Sequence, residues 1–136
     1  MYKPKYFSFK ECFPYSSLYD WKYMDDRILR SADALREVFG SIWCNGMGLT
    51  QCGYRTNGSS TSQHRYGRAM DLHSNTYSSE EMRRYIIEHR DAFPWITFIE
   101  IDTSWLHIDC RNDLFKLWSP KRGFVTQTIY LKTGDV

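Results

Sequence analysis

No stretch of this 136-residue chain is apolar for long enough to span a bilayer, which argues against a membrane-embedded protein. The N-terminus, Met1-Tyr2-Lys3-Pro4-Lys5, is positive, but no apolar run follows it, so it does not read as a secretory signal. The expectation is a product made in the cytoplasm that something else must deliver if its substrate lies outside. Net charge is scarce as well. The formal balance is +2, too little to argue for a nucleic-acid partner on electrostatic grounds. There are only four cysteines, Cys12, Cys44, Cys52 and Cys110, and no CxxC pair, so a zinc ribbon or finger is not expected. They read as small buried hydrophobes, and a single bridge such as Cys44 to Cys52 stays open at this level. Internal repeats and low-complexity tracts are lacking too.

What is present suits one monomeric globular domain over residues 1–136. Hydrophobic residues make up 42% and charged residues 25%, an ordinary globular balance. Aromatics are abundant at 17%, which suits a core built on rings or a groove lined with them. Short helical turns are expected around Ser8 to Cys12 and Ser16 to Tyr23. The strongest helical pattern runs from Asp26 to Phe39, where Ile28, Ala32, Leu35 and Phe39 share one face of a 3.6-residue period. Asp25 or Asp26 can cap its start and Gly40 can end it. Ser41 to Cys44 reads as a short buried strand. Asn45 to Gln63 is rich in Gly, Ser, Thr and Asn, a long loop of the kind that often carries function.

Arg68 to His73 alternates as a strand, with Ala69, Asp71 and His73 on one face and Met70 and Leu72 on the other. Ser78 and Glu81 have capping-box spacing at the head of a second helix, which Pro94 stops. Trp95 to Ile101 and Trp105 to Cys110 read as a β-hairpin. Phe124 to Leu131 is expected as an edge strand. The predicted class is α+β, helices packed on a small antiparallel sheet.

Two segments carry chemistry. In Ser62-Gln63-His64-Arg65-Tyr66-Gly67-Arg68-Ala69-Met70-Asp71, the glycine lets the backbone fold back so that Asp71 lies alongside His64. An imidazole and a carboxylate that converge in this way form two legs of a metal site, although an arginine, Arg68 or Arg55, could partner Asp71 instead. In Glu100-Ile101-Asp102-Thr103-Ser104-Trp105-Leu106-His107-Ile108-Asp109, a hairpin supplies a third leg. If residues 103 and 104 form a two-residue turn, Glu100 faces His107 across the strands, with Cβ atoms about 5 Å apart. Three protein ligands leave a fourth position for water, the layout of a catalytic zinc, and a neighbouring carboxylate can then move the proton. Asp109 shares a face with His107 and could orient it or pair with Arg111. Trp95, Trp105 and Trp118 are expected in the core, and His73 and His89 at the surface.

The segment Ser62 to Asp71 resembles the SxHxxGxAxD signature of the zinc D-Ala-D-Ala carboxypeptidase and endopeptidase family (M15 peptidases), whose fold is shared with the zinc-binding domain of hedgehog proteins. Trp105-Leu106-His107 is similar to that family's second motif, and Tyr54-Arg55 to its Gly-Tyr-Arg turn. The resemblance spans roughly Asp26 to Arg111. It implies a hedgehog/DD-peptidase-like fold, a Zn2+ ion held by His64, Asp71 and His107, and hydrolysis of amide bonds in peptidoglycan stem peptides. Arg55 would support the substrate carboxylate or oxyanion, and Ser62 and Gln63 would order the loop and touch substrate. Many members carry the catalytic acid three residues before the last histidine. That position is Ser104 here, which leaves Glu100 and Asp102 as candidates: a tight turn favours Glu100, a longer one Asp102. The same departure keeps open a zinc-containing binding domain that has lost catalysis. Small size and lack of a signal would suit a bacteriophage lysis enzyme.

Overall fold

The computed structural model describes residues 1–14, 19–112 and 114–136. The chain is mixed α and β, with four helices and one six-stranded sheet among these residues. Helix α1 is a single turn, Phe9–Cys12, capped by Ser8. Of the turn expected over Ser16 to Tyr23, Trp21–Tyr23 forms a 3-10 turn and residues 16–18 lie outside the described residues. Helix α2 spans Asp26–Phe39 as its periodicity predicts. The Asp25 side chain accepts from the Arg27 amide, and Gly40 closes the helix at φ +73° with its amide on the Arg36 carbonyl. Its inner face, Ile28, Leu29, Ala32, Leu35 and Phe39, is buried in the main core.

Strands β1 (Ile42–Trp43), β2 (Ala69–Ser74), β3 (Phe98–Glu100), β4 (Leu106–Asp109), β5 (Lys116–Ser119) and β6 (Gly123–Val125) lie in the order β1-β2-β4-β3-β5-β6. Helix α3, Ser79–Glu88, separates β2 from β3; Ser78 caps it by accepting from the Glu81 amide at 3.0 Å. It ends before Pro94 at His89 (φ −124°, ψ 40°), and a 3-10 turn over Arg90–Ala92 fills the gap. Helix α4, Gln127–Thr133, follows β6.

Two expectations need correction. The sheet is not wholly antiparallel: the chain reverses between β3 and β4 and again before β5, so β5 runs in the direction of β3 and pairs with its free edge in parallel. The stretch Phe124 to Leu131 is not one edge strand. It leaves the sheet at Val125, and Thr126 accepts from the Ile129 amide to start α4. The four thiols behave as small hydrophobes: all are free and buried, Cys44 and Cys52 included.

The sheet has two chemically different faces. Met70, Leu72, Ile99, Ile108 and Leu117 point into the core shared with α2 and α3. Alternation then forces Asp71, His107 and Glu100 to the other side. The loop joining β3 to β4 is held from below by Arg83, which is fully buried and donates to the carbonyls of Glu100 and Thr103 while pairing with Asp135 at 3.3 Å.

Gly67 makes the fold-back ahead of β2 possible. It sits at φ +66°, and its carbonyl accepts from the Asp25 amide at 2.8 Å. A Cβ there would collide with the Tyr23 carbonyl oxygen and lie 2.8 Å from the Met24 Cα. Gly67→Ala therefore meets both a left-handed backbone and a backbone overlap. The expected outcome is a loss of at least about 2 kcal/mol of stability, read as a lower urea midpoint at unchanged slope.

Candidate metal centre

His64, Asp71 and His107 come from three separate elements. His64 lies in the 3-10 turn Gln63–Tyr66, Asp71 in β2 and His107 in β4, where it is the direct cross-strand partner of Asp71. Their potential ligand atoms all lie within 4.8 Å of one another, and both histidines are buried. His64 Nε2 is 3.3 Å and His107 Nδ1 2.9 Å from the same oxygen, Asp71 Oδ1.

Proton bookkeeping around these contacts says what the cluster can hold. His64 Nδ1 lies 3.0 Å from the Gly53 carbonyl, which can only accept, so that nitrogen carries the hydrogen. Its Nε2 lone pair then faces the Asp71 carboxylate. His107 Nε2 is 2.7 Å from Asp109 Oδ2, and Asp109 is fully buried and gripped by the Arg111 guanidinium at 2.7 Å. Donation from Nε2 to this carboxylate leaves Nδ1 as a second lone pair aimed at Asp71. Two imidazole nitrogens and a carboxylate oxygen thus converge, an arrangement that needs either extra protons or one cation between them. In the metal-free state protons fill that need. Burial alone would depress His107, but the Asp109 and Asp71 carboxylates overcome it and lift the imidazole to about 9. Burial alone would raise Asp71, yet the His107 and His64 rings hold it well below the usual carboxylate range. A divalent ion satisfies the same three atoms without protons, and nitrogen–oxygen donor sets suit zinc and other first-row metals. The donor set fits a metal ion.

Glu100 stands beside the cluster as the direct cross-strand partner of His107. This is the register that parity with a tight turn requires, although the connection from Ile101 to Trp105 is irregular rather than a two-residue hairpin turn. Glu100 is half-buried, and burial lifts its carboxyl above the ordinary value, only partly offset by His107. Its side chain makes no hydrogen bond to another described residue. Asp102, the other acid considered, points elsewhere. It adopts φ +63°, and its buried carboxylate accepts from Arg122, the Ser119 hydroxyl and the Val136 amide. Those partners lie at the end of β5 and after it, so Asp102 is a structural anchor and not a neighbour of the cluster.

The three residues lie in an open cleft of about 500 Å³ whose wall also includes Arg55, Ser62, Gln63, Trp105, Trp118 and Phe124. Arg55 donates to the Gln51 carbonyl at 3.2 Å and to the Ser62 hydroxyl at 3.4 Å, while its Nε is buried without a partner. It forms no ion pair with an acid among the described residues. Gln63 Nε2 donates to the Thr61 carbonyl, leaving Oε1 buried and unpartnered. Arg111 lines the same cleft, its guanidinium over the Phe98 ring at 3.8 Å. Phe98 and Phe124 line the cleft without any mark in the sequence, and Trp105 and Trp118, expected in the core, line it too. Trp105 is 36% and Phe124 66% exposed. Nothing local marks these positions; only the register of β5 and β6 brings Trp118 and Phe124 here. His73, expected at the surface, is half-buried, stacked on Trp43 with its Nε2 3.4 Å from Cys52 Sγ.

Asp109 should matter to the metal and Asp102 to the fold. Asp109→Ala removes the carboxylate that fixes the His107 ring, and metal affinity should fall by about 10- to 100-fold in a competitive chelator titration. For Asp102, burial alone would raise the carboxyl, but Arg122 and Ser119 hold it at about 2. That is below the value of about 3.9 in an unfolded chain, so the stabilisation is complete above about pH 4 and is lost as pH falls through about 2. Asp102→Asn should lower stability by about 2 kcal/mol at pH 7 and flatten the acid limb of the unfolding profile, with metal affinity unchanged.

No helix among the described residues is long and apolar enough to cross a membrane. No family model, no curated protein and no solved structure matches this chain, so the case for a metal centre stands on the geometry of His64, Asp71 and His107.

Proposed function

We propose that this chain is a zinc-dependent peptidase with a hedgehog/DD-peptidase-like fold that hydrolyses amide bonds in bacterial peptidoglycan stem peptides. The observation that carries the reading is the three-ligand cluster with Glu100 directly opposite His107 in an open cleft. The spacing of Ser62, His64, Gly67, Ala69 and Asp71 supports it, since it resembles the zinc peptidase signature.

His64 Nε2, the Asp71 carboxylate and His107 Nδ1 would hold the ion. Bound by three protein atoms, zinc supplies a Lewis acid for a carbonyl and lowers the pKa of water toward about 7. Glu100 takes the proton released when water attacks and returns it to the departing amine. A carboxyl raised by burial is suited to both halves of that transfer. Arg55 faces the same cleft with a charge that no described acid neutralises, and it steadies a substrate carboxylate or a developing oxyanion. Ser62 orients Arg55 through its hydroxyl, and Gln63, whose Nε2 donates to the Thr61 carbonyl, orders the loop where it would meet substrate at the cleft wall.

A zinc-binding domain without catalysis is favoured by Ser104, which stands where many members of the resembled family carry the acid. Purified protein should contain about one equivalent of zinc by emission spectroscopy, and His64→Ala or His107→Ala should lose it. Wild type should release amines from purified peptidoglycan, and a chelator should stop the release. Glu100→Gln should keep the zinc and lose about 10²- to 10⁴-fold in kcat. A zinc-loaded wild type that releases nothing would decide for the binding domain.

A further inference from the structure

Two of the three ligands are placed by the main chain of one short segment, residues 52–55. The Gly53 carbonyl accepts from His64 Nδ1 at 3.0 Å, and the Arg55 amide donates to the His64 carbonyl at 3.3 Å. The Cys52 carbonyl accepts from the Asp71 amide at 2.8 Å. That last bond stands in for a strand. β1 pairs with β2 only at His73 and Ser74, so the edge of β2 at Asp71 has no strand beside it among the described residues. Because the Asp71 amide points to that edge, it makes no ladder bond to β4. Asp71 and His107 are therefore a non-hydrogen-bonded pair, the kind in which facing side chains approach most closely, with Cα atoms about 4.5 Å apart.

Residues 52 and 53 lie outside any helix or strand, so something else must hold them. Asn45 does. It is buried, and its amide group faces both ways: Nδ2 donates to the Glu11 carbonyl at 2.7 Å, and Oδ1 accepts from the Cys52 amide at 2.8 Å. The residues between close on themselves, Gly46 and Leu49 exchanging two bonds of 2.9 Å, so the Asn45–Cys52 bond is the neck of that loop. Helix α1 is the anchor. The Glu11 carboxylate accepts from the Cys44 amide at 2.8 Å, and a Cβ on Gly53 would lie 2.6 Å from the Cys12 carbonyl oxygen. A bridge between a carbonyl and an amide needs a donor and an acceptor on one group, which an ionised aspartate or a leucine lacks. Asn45 does not line the metal cleft, so substrate contact does not account for it.

We propose that Asn45 is a positioning residue of the metal centre: by fixing residues 52 and 53 against α1, it sets the separation of His64 from Asp71. This rests on the metal reading of His64, Asp71 and His107 above. The path is short. It runs from Asn45 Oδ1 to the Cys52 amide, and from the Cys52 and Gly53 carbonyls to Asp71 and His64. Without Asn45 the buried Cys52 amide loses its acceptor and moves to find another. The two carbonyls move with it, and the His64 ring loses its brace or follows.

Asn45→Ala removes both bonds, whereas Asn45→Asp keeps an acceptor for the Cys52 amide and gives up the donor to Glu11. Asp102→Asn, which lowers stability away from the cluster, is the control. Zinc affinity is read by competitive chelator titration at a temperature where each variant is folded. Exchange of the His64 Nδ1 proton with water is read by heteronuclear NMR on the metal-free protein. Asn45→Ala should bind zinc at least about tenfold more weakly and exchange that proton at least about tenfold faster. Asn45→Asp should stay within about threefold of wild type in both although it too loses stability, and Asp102→Asn should match wild type. A merely structural asparagine would make both readouts follow stability instead. Equal zinc affinity in wild type and Asn45→Ala overturns the proposal and leaves the metal reading intact, and so does an equal loss in Asn45→Ala and Asp102→Asn. If Asn45→Ala does not fold, a tenfold loss in Asn45→Asp overturns it. A wild type that takes up no zinc overturns the metal reading. The His64 proton then decides alone whether Asn45 places the ring, and unchanged exchange in Asn45→Ala overturns the proposal.

Discussion

Asp71 Oδ1 is approached by two imidazole nitrogens whose rings are each fixed from behind, His64 by the Gly53 carbonyl and His107 by Asp109. Neither ring can turn away without breaking a buried hydrogen bond, and a buried polar group left unpaired is costly. The fold therefore holds several electron-rich atoms closer than they would settle unaided, and a positive charge among them, proton or metal, relieves the crowding. Much of the surrounding structure serves this constraint. Gly67 lets the turn carrying His64 reach β2, and Arg83 holds the loop that leads into β4. Burial opposes charge on Asp109, and His107 together with Arg111 keeps its carboxyl below the ordinary value.

The sheet converts a chain order into a spatial order. Residues 71, 107, 100, 118 and 124 follow no regular spacing in sequence, yet each is the lateral neighbour of the next. The pleat assigns the core side chains to one face and the row from Asp71 to Phe124 to the other. The helices thus bury Met70, Ile99 and Ile108 with the same registers that bring Asp71, His107 and Glu100 together. Stability and site geometry share one set of strand pairings, so a slip by one residue would expose the core and scatter the ligands at once.

The features legible in the sequence were those set by local chemistry. Helix α2 follows from its periodicity, the start of α3 from Ser78 and Glu81, and the placing of Glu100 opposite His107 from alternation in a hairpin. Gly67 announced the turn between His64 and Asp71. The features not legible depend on distant partners. Asp102 and Glu100 are two residues apart and look alike as acids; Arg122, Ser119 and Val136 draw Asp102 away, and no local signal names them. The parallel pairing of β5 with β3 arises because the chain reverses twice, into β4 and into β5, and β4 leaves only one edge of β3 free. Trp118 reads as a core residue until that pairing turns it toward the cleft.

The four reduced, buried thiols bear on how a metal ion would reach the site of His64, Asp71 and His107. In the folded chain Cys12, Cys44, Cys52 and Cys110 are shut away from solvent, and burial pushes the Cys52 and Cys110 thiols up to about 11. They are poor ligands in that state. Unfolding returns them to water as soft donors that would compete for a metal ion with the two histidines and the aspartate. Mass action then works against the native state, because an ion that binds both ensembles stabilises the folded one only by the difference. For a metal bound at this site, late metallation, after the sulfurs have been packed away, is the order of events that would spare the chain from trapping the ion in a misfolded form.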